Sequence, residues 1–326
     1  MIRKLAAAVA AAVLVMGAAT DAEAKANFKF ATLAPPRSPW GKVFKTWSKA
    51  VEKKTNGEVE VVWLWNGTAG PERAVVGKIK SGQLQGAAIT AVGLADIHKP
   101  VLALQMPGAF ATWADLDRAR DRLAGDFEKV VKANGFHVGG WGDVGIARVM
   151  SKGFPVRVPA DLKGKHPGVI AEDIIGPKIY EVIGGVSAVP SSVMGFLPKL
   201  NAGQIDVMNT PSLAAEQLQW ASRLDHMNTN AVAFGVGAVV MSQKELDKLS
   251  ADQRTVMIDT GAMAAKALTT RIRAADDESF ERLKKKMTTH EATAAEKAEW
   301  KKVFTQACQR LKNALPGDVL SKIGAC

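Results

Sequence analysis

The sequence has few of the residues that most often carry covalent or metal chemistry. Its 326 residues include two cysteines and five histidines, and no two histidines have the H-E-x-x-H spacing of a zinc site. The G-x-S-x-G elbow of hydrolases and the Walker phosphate loop are also absent from the sequence. We therefore expect neither a cofactor nor a metal, and the sequence favours ligand binding over catalysis.

The two cysteines, Cys308 and Cys326, lie close together at the C-terminal end. So small a number excludes the disulfide-rich scaffold of a small secreted domain. In an oxidising compartment the two would pair, and a bridge across so short a loop would constrain the unfolded tail by roughly 3 kcal/mol. We expect a disulfide between them, with two free thiols as the alternative.

Long hydrophobic runs are missing as well, apart from one at the start of the chain. Arg3 and Lys4 precede the apolar run 5–19, and A-E-A follows at 22–24. This order is typical of a secretory signal peptide, and the run is too short to span a bilayer comfortably. We interpret residues 1–24 as the signal peptide and expect the mature protein in a bacterial periplasm.

Acidic residues are outnumbered by basic ones, 32 against 43, which gives a formal net charge of +11. The basic residues are spread along the chain, with 284–286 as their one run, and aromatic residues make up 6% of the sequence. Aromatic side chains are too few to alternate with the basic ones as platforms for nucleic-acid bases. The charge therefore predicts a solvated basic surface and no nucleic-acid partner.

Hydrophobic periodicity predicts alternating strands and helices. Residues 28–33, 58–65 and 83–90 have the pattern of strands, and the segments 40–54 and 71–80 between them have helical spacing. This alternation is typical of a parallel sheet covered by helices. The sequence therefore predicts an α/β fold.

One short phrase occurs twice, as K-I-K-S-G-Q-L-Q at 78–85 and as K-L-N-A-G-Q-I-D at 199–206. Each copy predicts the end of a helix, a left-handed glycine cap at Gly82 or Gly203, and then a strand. The repetition predicts two lobes of similar design that face one cleft.

A long helix is predicted on the C-terminal side of the second copy of the phrase. Ser250 and Gln253 form a capping box, and no proline interrupts the helical pattern from there to about Met287. Such a helix would be roughly 55 Å long. We expect it to brace both lobes because it exceeds the width of one.

A further set of motifs follows a fixed order along the chain. They are W-N-G-T-A-G-P-E from Trp65, G-x-x-R from Gly145, P-A-D-L-K-G from Pro159 and M-S-Q-K-E-L-D-K-L from Met241. Together with the two G-Q phrases they resemble the substrate-binding components of TRAP (tripartite ATP-independent periplasmic) transporters of the DctP type. The resemblance covers essentially the whole mature chain. It implies a periplasmic binding protein-like fold, with two α/β lobes joined by hinge strands and a long bracing helix.

The resemblance also implies limits for the two lobes and a set of partners. Lobe I is expected in residues 25–148 with about 234–270, and lobe II in 149–233 with about 271–326. The lobes would close on a small ligand, bending near residues 148 and 234, and deliver it to a pair of membrane permease subunits. A sensing or interaction protein that is not coupled to transport, and a periplasmic enzyme, are the alternatives.

The expected polar contacts to the ligand lack the usual arginine. Members of this family typically hold an organic acid with an arginine shortly after D-L-K-G, and here that position is Gly168. A guanidinium forms two parallel charge-assisted bonds to a carboxylate, which glycine cannot replace. Arg148 matches a second arginine of the family and Asn209 matches an amide, while Thr90 is expected to contribute from the first lobe.

Aromatic residues lie near several of the predicted strand ends, at Trp40, Trp141 and Phe234. Their faces would suit an apolar ligand, whose burial contributes about 25 cal/mol per Å². This pattern resembles a subgroup of TRAP binding proteins associated with tetratricopeptide-repeat partners, so we expect a largely apolar or amphipathic ligand.

Ser191 is a further candidate contact at a strand-to-helix turn. No base is placed to activate it as a nucleophile, so the serines of this turn are expected to cap a helix.

Overall fold

The computed structural model describes residues 25–326, and the predicted signal peptide lies outside them. No helix in this range is both long and apolar enough to cross a membrane.

The strands are β1 Ala26–Thr32, β2 Val59–Leu64, β3 Gly86–Thr90, β4 Phe136–Ser151, β5 Gly168–Ile170, β6 Val189–Ser191, β7 Val207–Pro211, β8 His226–Asn228, β9 Ala233–Ser242 and β10 Thr288–His290. The α-helices are α1 Pro39–Lys54, α2 Glu72–Lys80, α3 Ala91–Ala95, α4 Trp113–Ala133, α5 Ile175–Ile183, α6 Phe196–Asn201, α7 Ser212–Gln217, α8 Gln243–Leu246, α9 Ala251–Lys284, α10 Ala294–Leu311 and α11 Val319–Lys322. Short 3-10 helices lie at Lys99–Gln105, Pro159–Leu162, Val193–Gly195 and Trp220–Arg223.

The main sheet is divided along strand β4. On one side the strand order is β2-β1-β3-β9-β4, with β1 parallel to β2 and β3, and β9 antiparallel to its neighbours. Strand β4 pairs with β9 as far as Ala147, and from Ala147 to Ser151 it pairs with β7 and β8. We call β1, β2, β3, β9 and the first part of β4 lobe I, and β5 to β8, β10 and the end of β4 lobe II. The predicted α/β fold of two lobes is confirmed, while the residue limits of the lobes stay a prediction.

The repeated phrase occupies equivalent places in the two lobes. Gly82 follows α2 with φ of +79°, and Gly203 follows α6 with φ of +67°. Glycine adopts these left-handed values without steric cost. Strand β3 or β7 comes next, and each strand leads directly into a helix. Both copies therefore direct a strand end toward the space between the lobes.

The helix that the second copy of the phrase predicts before Gly203 is divided in the structure into a 3-10 turn, Val193–Gly195, and α6. Pro198 lies in the first turn of α6. The amides of a first helical turn have no partner within the helix, so the missing N–H of a proline costs least there.

Helix α9 is the longest element and contacts both lobes. Its 34 residues give a length of about 51 Å, and Ser250 and Gln253 form the predicted capping box. Toward lobe I, Trp47 of α1 donates from Nε1 to the hydroxyl of Thr260 at 3.0 Å. Toward lobe II, the amide of Leu213 in α7 donates to Asp276 at 2.8 Å. The predicted bracing helix therefore touches elements of both lobes.

Asp276 is fully buried at the border between the lobes. Its carboxylate accepts hydrogen bonds from the amides of Ile146 in β4 and Leu213 in α7, both at 2.8 Å. Gly145 has φ of +133°, and a Cβ there would lie 2.6 Å from Asp276 Oδ1. The carboxylate can approach β4 only because position 145 has no side chain. One side chain of α9 thus ties the helix to both lobes.

The C-terminal tail is attached to α10. Cys308 and Cys326 are joined by a disulfide, with Cα atoms 5.8 Å apart. Gln309 donates from its side-chain amide to the carbonyl of Cys326 at 3.1 Å. The helix itself begins at a capping box of Thr293 and Glu296.

Removal of the Asp276 carboxylate is predicted to destabilise the whole fold. Asp276→Ala leaves two buried amides without a partner, so we expect the free energy of unfolding to fall by about 2–5 kcal/mol. Urea unfolding followed by circular dichroism measures the change. Asp277→Ala, at the exposed neighbouring carboxylate, is the matched control and should change the free energy by less than about 0.5 kcal/mol. Equal effects of the two substitutions would contradict this account.

Candidate functional site

A cavity of ≈ 290 Å³ lies between the two lobes. Thr32 at the end of β1 and Thr90 at the end of β3 line it from lobe I, and Asn209 and Thr210 near the end of β7 line it from lobe II. Ligands of open α/β sheets bind outside the carboxyl ends of the strands. The cavity therefore has the position expected of a ligand site.

Most of the cavity wall is apolar. The larger apolar residues that line it are Trp40, Phe44, Ile89, Val144, Val169, Ile170, Ile175, Ile179, Val193, Phe196, Met208, Leu218, Trp220, Phe234, Val236 and Leu268. Within residues 25–326, no lysine, arginine or histidine lines the cavity, and the charged residues that do are three acids, Glu72, Asp143 and Asp173. The wall therefore suits an apolar body and offers no cation to an anionic group.

Glu72 is held by the turn that follows β3. Its carboxylate accepts hydrogen bonds from the amide of Thr90 at 2.7 Å, the hydroxyl of Thr90 at 2.6 Å and the amide of Gly93 at 3.1 Å. Burial raises the pKa of Glu72 although these hydrogen bonds act in the opposite direction. The side chain of Thr90 is thus bound to Glu72 as well as lining the cavity.

Asp143 is the centre of a group of ion pairs behind the cavity wall. Its two carboxylate oxygens lie 2.7 Å from Arg120 Nη1 and 2.7 Å from Arg273 Nε. Both arginines also pair with Asp117. The carbonyl of Asp143 accepts a hydrogen bond from Trp40 Nε1 at 3.3 Å. Two guanidinium groups close to the cavity are therefore already paired with carboxylates.

Asp173 and Tyr180 line the cavity from lobe II. The carboxylate of Asp173 accepts hydrogen bonds from the amides of Ile175 at 2.9 Å and Gly176 at 3.0 Å, at the start of α5. Burial raises the pKa of Asp173, although these hydrogen bonds act in the opposite direction. Burial, with Asp173 nearby, also raises the pKa of Tyr180, so the phenol keeps its proton at neutral pH.

The structure brings together five of the residues proposed from the sequence. Trp40, Thr90, Gly168, Asn209 and Phe234 all line the cavity. They come from five different elements, α1, β3, β5, β7 and β9. Their contact with a ligand stays a prediction.

Arg148 does not line the cavity, although its neighbour Ala147 does. Successive side chains of a strand point to opposite faces, and the partners of Arg148 lie away from the cavity wall. Arg148 donates to the carbonyls of Ile146 at 3.1 Å and Thr229 at 3.3 Å, and its guanidinium lies 3.7 Å from the ring centre of Phe280. This arginine therefore packs behind β4 and not at the predicted contact point.

Trp141 and Ser191 also lie outside the cavity wall. Trp141 faces α4 and donates from Nε1 to Glu128 at 2.7 Å. Ser191 is buried at the end of β6, and Ser192 accepts a hydrogen bond from the amide of Gly195 at 3.2 Å. Ser192 is therefore a helix cap, as expected for one of the two serines.

Gly168 lines the cavity at a point where an added side chain would have to displace its neighbours. A Cβ at this position would lie 2.9 Å from Met208 Sδ, 3.0 Å from Ile205 Cδ1 and 3.1 Å from Phe196 Cε1. Apolar side chains of lobe II thus fill the space into which a side chain of residue 168 would extend.

Seven polar residues of the cavity were not proposed from the sequence. Thr32, Asp143 and Thr210 lie on β1, β4 and β7, and the remaining four are Glu72, Gln105, Asp173 and Tyr180. Of these four, Gln105 ends the first 3-10 helix, and the others belong to or flank α2 and α5. Tyr180 is the only tyrosine of the chain, which is the one signal that could have marked it. The others are common residue types whose positions depend on how the helices and strands pack.

The fold and the cavity define a two-lobed binding protein. Residues 30–314 match the model of the family described as bacterial extracellular solute-binding protein, family 7 (DctP). The chain belongs to this family, which confirms the resemblance found in the motifs. Because the family consists of solute-binding proteins, the expectation of a binding protein and not an enzyme also holds.

Individual relatives are distant in sequence and similar in structure. A solute-binding protein of Chromohalobacter salexigens is 27% identical over 173 residues, which span 53% of this chain and about half of the relative, 51%. A TRAP periplasmic solute-binding protein of Sulfurospirillum deleyianum with bound succinate has a TM-score of 0.86 at 17% identity, covering 93% of this chain and 99% of that one. The sugar acid binding protein DctPAm of Advenella mimigardefordensis in complex with galactonate has a TM-score of 0.86 at 16% identity, covering 93% and 98%. At these identities the two structures establish a shared fold.

A methyl group at Gly168 is predicted to destabilise lobe II. Gly168→Ala forces Met208, Ile205 and Phe196 apart by a few tenths of an ångström, and such overpacking costs about 1 kcal/mol or more. Thermal and urea unfolding measure the loss. Gly125→Ala is the control, because a Cβ there meets nothing within 4 Å in the middle of α4, and it should stabilise by about 0.5–1 kcal/mol. Stabilisation by Gly168→Ala would show that the contacts are not tight.

The buried carboxylate of Glu72 is predicted to make stability depend on pH. A raised pKa in the folded state means that folding favours the protonated carboxyl. The stability that Glu72 contributes in this way is present below the unfolded pKa of about 4.3 and is lost as pH rises through the higher folded pKa. We therefore expect the unfolding free energy of the wild type, minus that of Glu72→Gln, to fall as pH rises from about 4 to about 7.

Urea titrations at several pH values measure this difference. Glu299→Gln, at an exposed glutamate, is the control and should give a difference that is nearly independent of pH. A wild type that gains stability over Glu72→Gln as pH rises would contradict the raised pKa.

Proposed function

We propose that this protein is the periplasmic binding component of a TRAP-type secondary transporter, which captures a small, largely apolar or amphipathic molecule between its lobes. The molecule is then delivered to the membrane permease subunits. The observation that carries the proposal is the cavity wall, which is mostly apolar and has no lysine, arginine or histidine among residues 25–326.

The chemistry of this wall favours a ligand different from those of the two similar structures. Those structures contain succinate and galactonate, which are anions at neutral pH. A buried carboxylate needs charge-assisted hydrogen bonds to compensate for the loss of water. Here Gly168 and Ala147 line the cavity, and neither can supply a positive charge to a bound carboxylate. An apolar body, in contrast, gains about 25 cal/mol for each Å² removed from water.

The size of the cavity limits the ligand. Its volume of ≈ 290 Å³ is close to the lower end of the range of small-molecule pockets, roughly 300–1,000 Å³. This is room for a small organic molecule.

Capture would depend on closure of the two lobes. Residues of both lobes line the cavity, so a ligand that contacts both binds the closed form better than the open form. Strands β4 and β9 pair at Ala147 and Ala233, beside the positions near 148 and 234 where bending is expected. Trp40 and Trp220 line the cavity and would report the closure through their fluorescence.

The proposed location is the periplasm, after removal of residues 1–24. The family is extracellular, and the disulfide of Cys308 and Cys326 requires an oxidising compartment. The proposed partners are a permease pair in the membrane and, by the subgroup resemblance, a periplasmic protein with tetratricopeptide repeats.

A thermal-shift screen of the mature protein tests the ligand class. The panel contains octanol, octanamide, octanoate and cyclohexanecarboxamide on one side and succinate and galactonate on the other. We expect stabilisation by members of the first group, since a ligand at a hundred times its Kd adds about 2.7 kcal/mol. Stabilisation by succinate or galactonate alone would contradict the proposal.

A polar substitution in the cavity wall is predicted to weaken binding of the first group. Val144→Thr keeps the shape of the side chain and replaces an apolar contact by a hydroxyl, so affinity should fall roughly threefold to tenfold. Calorimetric titration measures the affinity. Val62→Thr makes the same change at an exposed position on β2, outside the cavity, and should leave the affinity unchanged. Equal affinities of the two variants would place the ligand elsewhere.

A further inference from the structure

Three neutral polar side chains of the cavity have no hydrogen-bond partner in the part of the chain that the structure describes. They are the amide of Gln105 in lobe I, and the hydroxyl of Tyr180 and the amide of Asn209 in lobe II. The side chains of these three residues form no hydrogen bond to any other residue in the range 25–326. Each can donate as well as accept, and each lines the cavity wall.

The charged groups of the cavity are, in contrast, already occupied. Glu72 accepts three hydrogen bonds from Thr90 and Gly93, and Asp173 accepts two from the start of α5. Asp143 is paired with Arg120 and Arg273. Each carboxylate therefore already has donors within the protein, while Glu72 and Asp173 keep lone pairs that a further donor could use.

An anionic group would be disfavoured in the same space. Carboxylates of Glu72 and Asp173 lie in the wall, and no cation lines the wall among residues 25–326 to balance a further negative charge. Like charges at short distance raise the free energy of the charged forms. The groups of the wall that lack a partner among residues 25–326 are the neutral donors and acceptors of Gln105, Tyr180 and Asn209.

We propose that the cavity recognises the polar end of its ligand as a neutral group, a hydroxyl, carbonyl or amide, through Gln105, Tyr180 and Asn209, and that it discriminates against the corresponding carboxylate. This inference rests on the proposed function and names the chemical class of its ligand. A site built to hydrogen-bond a particular group rejects analogues that leave its polar side chains unpaired. The ligand is then a neutral molecule with an apolar body and one or two polar atoms.

Matched head groups on one apolar body test the discrimination. Octanol, octanamide and octanoate, and cyclohexylmethanol, cyclohexanecarboxamide and cyclohexanecarboxylate, are titrated into the mature protein in a calorimeter at neutral pH. The neutral member of a series is expected to bind at least about tenfold more tightly than its carboxylate.

Each outcome of this titration is informative. A carboxylate that binds as tightly as the alcohol and amide overturns the inference and leaves an apolar ligand site in place. If no member of either series binds at millimolar concentration, the inference and the proposed function both fail.

The single tyrosine gives a direct report of contact. Because Tyr180 is the only tyrosine, 3-fluorotyrosine labelling produces one fluorine resonance in the whole protein. The neutral probes should shift this resonance and the carboxylates should not, at equal concentration. A resonance that is unchanged while octanamide binds would exclude Tyr180 from the contact.

Two substitutions separate recognition from folding. Tyr180→Phe removes one hydroxyl and should weaken octanamide about tenfold, while Gln83→Leu, at an exposed glutamine outside the cavity, should not change the affinity. Asn209→Lys adds a cation to the wall and should strengthen octanoate at least about tenfold. An unchanged preference for the neutral probe in Asn209→Lys would show that charge does not decide the selectivity.

Discussion

The placement of Arg148 on β4 decides much of the chemistry of the cavity. The strand crosses from lobe I to lobe II and changes its partner at Ala147. Ala147 lines the cavity, whereas Arg148 does not. Arg148 is bound to backbone carbonyls and to Phe280, and its Nη1 lies 4.0 Å from the carboxylate of Asp276. These contacts hold the guanidinium away from the cavity wall.

The rest of the site is consistent with this arrangement. Position 168 has no side chain, and Arg120 and Arg273 are held by Asp117 and Asp143. The cations of a chain with a net charge of +11 are therefore directed elsewhere. The cavity is lined by a mostly apolar wall, a few neutral polar groups and three carboxylates that have partners within the protein. The fold is that of the DctP family, and the chemistry of the cavity differs from what an arginine clamp would give.

Much of the fold could be predicted from local patterns. The capping box at Ser250, the glycine caps after α2 and α6, and the strand–helix alternation depend on nearby residues, and the structure has them as expected. The site was predicted less completely, because it depends on which face of an element points inward. Arg148 fitted a motif, but in the structure it does not line the cavity. Tyr180 and Gln105 reach the cavity only through the packing of α5 and a 3-10 helix, which no local pattern determines.

The most direct test of the central claim is a crystal structure of the mature protein with the ligand that it retains on purification from the periplasm. The account predicts a neutral molecule whose polar end is within hydrogen-bond distance of Tyr180, Gln105 or Asn209, with Arg148 still packed on Phe280. A carboxylate held by a displaced Arg148 in the cavity would contradict it.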